Sequence, residues 1–110
     1  MNSINLTGRL TRDPELRTTH SGTPVGSLRL AVQRRRSRDG EDRGAVFVDV
    51  TAFGALGENC AQYLETGRQV AVSGRLELDE WENDAGQRRQ RHHVIADEVE
   101  FLGGRPDDQS

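Results

Sequence analysis

The residues whose types and spacing could do chemistry are concentrated in Ala45-Val46-Phe47-Val48-Asp49-Val50-Thr51-Ala52-Phe53-Gly54. The stretch alternates at period two, the signature of a half-buried strand. Val46, Val48 and Val50 fall on one side and read as a core face. Phe47, Asp49, Thr51 and Phe53 fall on the other. A core face does not normally carry Asp49, because burying an unpaired carboxylate is costly. A solvated face does not normally carry two phenylalanines. Rings set among polar groups suit flat ligands that stack, of which nucleobases are the commonest. A second small core closed by a loop fits this strand slightly better when it is taken alone, and the rest of the chain shifts the balance.

The elements that must position these residues follow from the rest of the chain. Ile4 to Arg12 alternates and reads as a strand with Gly8 at a bend or bulge, ended by Asp13-Pro14. A polar loop through Thr18 to Gly22 leaves His20 exposed. Val25 to Gln33 is a second strand, with Leu28, Leu30 and Val32 toward the core and Arg29 opposite. Arg34 to Gly44 is too polar to bury, carries turn signals, and reads as a long mobile hairpin loop with a basic near arm. After Gly54 the period becomes helical. Leu56, Cys60, Tyr63 and Leu64 form a stripe, and Gly67 is a stop, so Ala55 to Thr66 is one short helix. Cys60 lies on that stripe as a small buried hydrophobe.

Arg68 to Glu80 returns to period two, with Val70, Val72, Gly74, Leu76 and Leu78 toward the core. Trp81 follows on the outward side, and Asn83 to Gly86 turns the chain. The last strand, from about Arg88 to Leu102, has a mixed pattern that predicts a bulge. The predicted fold class is all-β with one short helix. Five strands with a helix between the third and fourth fit a five-stranded OB-fold barrel, whose second and third strands and flanking loops bind oligonucleotides and oligosaccharides. One domain covers residues 1–104, with a short polar tail at 105–110. On that barrel Phe47, Phe53, the Arg34–Arg38 loop and the Trp81 hairpin share one face.

Composition narrows the function classes. The chain has 110 residues, of which 33% are hydrophobic and 30% charged, with a net charge of −3. All fifteen basic residues are Arg, whose planar guanidinium stacks on bases and grips phosphates bidentately. Charge is segregated. Residues 29–43 hold six Arg against three acids, and residues 85–96 hold three Arg and no acid, whereas residues 76–84 hold five acids and no Arg. No apolar run approaches the roughly 18 residues of a membrane span. The first residues lack signal-peptide regions, and one cysteine excludes an internal disulfide. These features predict a soluble cytoplasmic protein. No phosphate-cradling loop or nucleophile elbow is present. His92 and His93 are strand neighbours and point to opposite faces, so they cannot easily share a metal. The expectation is a binding protein, not an enzyme, with no metal and no cofactor.

Several motifs then carry a family likeness. Gly8-Arg9-Leu10-Thr11-Arg12-Asp13-Pro14-Glu15-Leu16-Arg17, Ser21-Gly22-Thr23-Pro24-Val25, and Phe53-Gly54 leading to Asn59-Cys60-Ala61-Gln62-Tyr63-Leu64 are three of them. Gly67 to Leu76 and Val94 to Gly103 complete the set. The chain resembles bacterial single-stranded DNA-binding proteins over nearly its whole length. That resemblance implies a homo-oligomeric OB-fold protein, a tetramer with a dimer as the alternative. It would bind and protect single-stranded DNA without sequence preference during replication, recombination and repair. It places stacking aromatics at Phe47, Phe53 and Trp81, and phosphate contacts at Arg34, Arg35, Arg36, Arg38, Arg75 and Arg88. Two departures matter. Family members often have an aromatic near position 36, where this chain has only Arg. The family's long tail with an acidic tip, which recruits replication and repair proteins, is not matched by Asp107 to Ser110, so those partners are expected only if a longer tail exists. The alternative is a short OB-fold paralogue or primosome-type accessory protein acting mainly through protein contacts.

Overall fold

The computed structural model describes residues 1–35, 40 and 44–103. Its elements in chain order are β1 (Ile4–Leu10), β2 (Glu15–Thr18), β3 (Pro24–Gln33), β4 (Ala45–Phe53), α1 (Ala55–Tyr63), β5 (Gln69–Glu82) and β6 (Arg88–Leu102). The sheet runs in the order β1-β5-β6-β4-β3-β2, and β1 also pairs with β3. That extra pairing closes five strands into a ring, with β4 and β6 joined by a short parallel contact at Val50 with Val94 and Thr51 with Ile95. This is the OB-fold arrangement expected from the sequence, carrying one strand more than the five foreseen.

The additional strand, β2, lies where the sequence reads as loop. All four of its residues are exposed, so it has no burial alternation to betray it. It exists because its backbone pairs with β3, from Glu15 opposite Ser27 to Thr18 opposite Pro24.

Period two puts Leu10, Leu28, Leu30, Val50, Ala52, Val70, Val72, Val94 and Ala96 inside, where they pack with Cys60 and Leu64 from the helix side. Gly54 makes the turn from β4 into α1 at φ 66°, a conformation that costs other residues a Cβ clash. The helix lies so close to the sheet that a Cβ at Gly57 would meet the backbones of Ala52 and Gly26. Burial pushes the Cys60 thiol up to about 11, so the side chain behaves as the small hydrophobe expected.

Five expectations are corrected by packing. The helix ends at Tyr63, short of Thr66, because Leu64 turns extended and drops into the core. Asp13 then takes the Thr66 amide and hydroxyl at 2.8 and 2.7 Å, which fixes the following turn. Tyr63, placed on the apolar stripe by spacing, is exposed. Gly8 sits at regular register opposite Val70, and a Cβ there would strike the Ala31 carbonyl. It marks the closure of β1 onto β3 and not a bulge. The bulge foreseen in the last strand is present: Ser73 faces Glu98 and Gly74 faces Ala96, leaving Asp97 as the extra residue. Leu76 and Leu78 are 42% and 36% exposed, where the alternation placed them in the core. Strand β1 ends its pairing with β5 at Gly74, so beyond it β6 is the one strand that pairs with β5 among the described residues. Val46 is exposed as well, beyond the short contact of β4 with β6 at Val50 and Thr51, and the valine face of β4 is fully buried only at Val50.

Candidate nucleic-acid interface

Strand β4 turns Phe47, Asp49, Thr51 and Phe53 outward, as the alternation requires. Phe47 is 57% exposed and Phe53 47%. They stand six residues apart, about 20 Å at the rise of a strand, too far to sandwich one base. Asp49, the residue that fitted neither a core nor a solvated face, is answered by its cross-strand neighbour. Arg29 Nη1 lies 2.9 Å from Asp49 Oδ1. The same guanidinium sits 5.5 Å from the centroid of the Phe47 ring. A partly exposed ion pair adds little stability. Here it holds a planar cation beside an exposed ring, where a stacked base and its phosphate could use both.

The β5–β6 hairpin supplies the second wall. Asn83 orders its tip. The Asn83 side-chain oxygen accepts from the Ala85 and Gln87 amides at 3.0 and 2.9 Å, and Gly86 takes φ 76°. This fixes the register of Trp81 opposite Arg89, Asp79 opposite Arg91 and Glu82 opposite Arg88. Trp81 is 49% exposed on the outward side, as parity predicts.

The arginines anticipated from the sequence divide. Arg34 and Arg35 are exposed at the base of the β3–β4 connection, which the Arg34 amide closes by donating to the Gly44 carbonyl at 3.0 Å. Arg36 and Arg38 lie outside the described residues. Arg75 is engaged by Asp97 at 3.4 Å and Glu77 at 3.9 Å. Arg88 pairs with Glu80 at 2.8 Å and sits on the hairpin face away from Trp81. The residues that share the Trp81 face are Arg89 and Arg91, and neither has a carboxylate partner among the described residues. Sequence reading passed over them because their side depends on the turn register. Arg89 donates instead to the neutral Gln87 side chain at 3.0 Å.

Between β4 and the hairpin lies an open cleft of about 530 Å³, walled by Arg17, Thr51, Phe53, Asp79, Arg91 and His93, with the exposed His20 at its rim. Its floor is polar. His93 is only 7% exposed, with Nδ1 3.3 Å from Thr51 Oγ1 and Nε2 3.2 Å from Asp79 Oδ2. The second contact is close but not aligned as a hydrogen bond. His92 is exposed, so the two histidines do part to opposite faces. Among the described residues no three His, Cys, Asp or Glu side chains converge as metal ligands, and no helix is long and apolar enough to cross a membrane.

A closed OB-type barrel with half-exposed rings and arginines on its outer wall defines a class of oligomer-binding folds. Comparison with known proteins narrows the class. The chain belongs to the Single-strand binding protein family, whose profile it matches over residues 1–102. It is 45% identical over 102 residues to "Single-stranded DNA-binding protein 1" of Staphylococcus aureus (strain Mu50 / ATCC 700699), covering 93% of this chain and 65% of that protein. It is 44% identical over 103 residues to "Single-stranded DNA-binding protein" of Clostridium tetani, covering 93% and 70%. A Wolinella succinogenes protein of the same name is 40% identical over 103 residues, covering 92% and 64%. The chain spans about 65% of the length of the first of these curated relatives. The family likeness read from the motifs is borne out.

Proposed function

We propose that this chain binds single-stranded DNA without sequence preference and protects it during replication, recombination and repair. The observation that carries the reading is the outer wall itself. Phe47, Phe53 and Trp81 are each about half exposed, with Arg29, Arg89 and Arg91 beside or across from them. Bases stack on the rings, and every base has a π-face, so the contact ignores identity. Arginines meet the phosphates and release counterions. A duplex is refused because its bases are already stacked on one another. Arg34 and Arg35 extend the basic track at the base of the β3–β4 connection, and Arg36 and Arg38 are further candidates for phosphate contact. Arg75 and Arg88 contribute less, being already paired with acids.

The protein acts by binding and not by catalysis. It works in the cytoplasm as a homo-oligomer, most simply a tetramer. Residues 1–104 form the DNA-binding domain and 105–110 a polar tail. The test is a titration of fluorescent dT oligomers against wild type and the Phe47→Ala/Phe53→Ala/Trp81→Ala variant, with a duplex control. Tight binding of single strand, lost in a folded triple variant, is the expected outcome. Equal affinity for duplex and single strand would sink the reading in favour of a protein-interaction module.

A further inference from the structure

We infer that Arg17 and Arg91, from opposite walls of the cleft beside Phe53, take the two phosphates that flank the nucleotide stacked on that ring. The inference rests on the single-strand-binding reading. It adds Arg17 to the site and gives a role to β2, the strand that buries nothing.

The starting point is a row of residues across the outer wall. Arg17 of β2 stands opposite Val25 of β3, and Val25 stands opposite Phe53 of β4. Residues paired in this way share one face of the sheet. Two strand spacings put the Arg17 and Phe53 backbones about 10 Å apart. Val25, between them, is 4% exposed yet stands apart from the barrel core cluster. It is a small apolar floor outside the barrel. The β2–β3 turn holds this wall in place. The Thr19 amide donates to the Thr23 carbonyl and the Gly22 amide to the Thr19 carbonyl, each at 2.9 Å, with Gly22 at φ 89°.

Arg91 comes from the other side. In the sheet order β4 lies between β6 on one side and β3 followed by β2 on the other. Arg17, Val25, Phe53 and Arg91 all line the cleft of about 530 Å³, a size suited to a small flat ligand. Both guanidiniums are available. Asp79 stands directly across the hairpin from Arg91, but its carboxylate turns to His93 Nε2 at 3.2 Å, and no ion pair joins it to Arg91 among the described residues. Glu15, on the same face of β2, makes none with Arg17 among the described residues. Two guanidiniums against the one Asp79 carboxylate leave the cleft walls net positive. A nucleotide carries its base in the middle and a phosphate on each side. Phe53 takes the base, and the arginines on either side take the phosphates. The strand then crosses the wall from β2 to the hairpin, where Trp81 and Arg89 continue its path.

The experiment titrates the full chain with a fluorescent dT oligomer across a range of salt, for wild type, Arg17→Ala, Arg91→Ala and the double variant. The reactivity of each arginine toward phenylglyoxal is read by mass spectrometry, free and saturated with dT. Each single variant should flatten the plot of log affinity against log salt by about 0.7, and the double variant by about 1.4. Arg17 is exposed, so its variant should keep the wild-type unfolding midpoint. Saturation should protect Arg17 and Arg91, and Phe53→Ala should restore their reactivity while Arg89, beside Trp81, stays protected. An unchanged slope for Arg17→Ala, or Arg17 equally reactive in the free and saturated protein, overturns the inference. So does Arg17 protection that survives Phe53→Ala undiminished, because the two would then hold different nucleotides. If Arg89 is protected and Trp81 fluorescence quenched in any of these cases, the binding reading stands without this seat. If dT changes neither the fluorescence nor any arginine, both fall together.

Discussion

Strand β5 passes through two different environments. From Gln69 to Gly74 its residues alternate between buried and half-buried, inside the ring of strands. From Arg75 to Glu82 every residue is exposed. The period-two pattern runs through both halves, with Val70, Val72, Gly74, Leu76 and Leu78 in one line. What differs is the layer opposite. The barrel half has β1 alongside it as far as Gly74, whereas the hairpin half has only β6. There Asn2 adds a tie, its amide exchanging hydrogen bonds with the Leu76 backbone at 2.8 and 2.9 Å. The barrel spends its side chains on a core. The hairpin leaves them free to meet a ligand, with an acidic arm on β5 facing an arginine-rich arm on β6.

If that division is real, the two regions should fail in different assays. The largest effect belongs to the core. Leu30→Ala, at a fully buried position, should cost about 2–5 kcal/mol in denaturant unfolding. Leu78→Ala on the hairpin should stay within about 0.5 kcal/mol, as surface substitutions do. A cost for Leu78→Ala approaching that of Leu30→Ala would mean the hairpin is packed, as in an oligomer interface, and would break the comparison.

Trp81→Ala should do the reverse. Stacking in single-strand-binding OB-folds is worth roughly 1–3 kcal/mol per base, so dT affinity should drop by that amount while the unfolding midpoint holds. A lowered midpoint with unchanged affinity would make Trp81 a covering hydrophobe instead.

A smaller effect separates arginines within the hairpin. Arg89→Ala should flatten the plot of log affinity against log salt by about 0.7, the contribution of one phosphate on a single strand. Arg75→Ala should change it less, because Asp97 and Glu77 already neutralise that side chain. Equal slopes for the two variants would remove the distinction between free and paired cations.

The smallest effect sits at the barrel's lower turn. The hydrogen bonds from Thr66 hold Asp13 below its ordinary value of 3.8. A depressed folded-state value stabilises above the ordinary value and is lost as pH falls through the lower one. Wild type should therefore be slightly more stable than Asp13→Asn at neutral pH, with the gap closing below about pH 4 in acid titrations followed by circular dichroism. A gap independent of pH would assign the latch to geometry and not to charge.

Much of the site was legible early. Phe47, Phe53 and Trp81 announce themselves because strand parity places side chains without reference to distant residues. Arg88 was singled out and Arg89 and Arg91 were not, since which arginines share the Trp81 face depends on where Asn83 to Gly86 closes the hairpin. Arg29 was visible as an outward residue, but its hold on Asp49 required the β3–β4 register. His93 was visible only as the strand neighbour facing away from His92, and its burial was not. It is buried because Thr51 of β4 and Asp79 of β5 both converge on β6.

The sequence by itself determined the strands and helix whose period, turn glycines and motifs are local, the rings on β4 and the hairpin, and the family. Only the tertiary structure decided that β2 is a strand, that Leu76 and Leu78 stay in water, which arginines are free, and that a histidine lies under the cleft. The reason is physical. Periodicity reports which side a residue takes, while burial, pairing and charge neutralisation depend on what stands opposite, and in a barrel the opposite residue comes from a strand far along the chain.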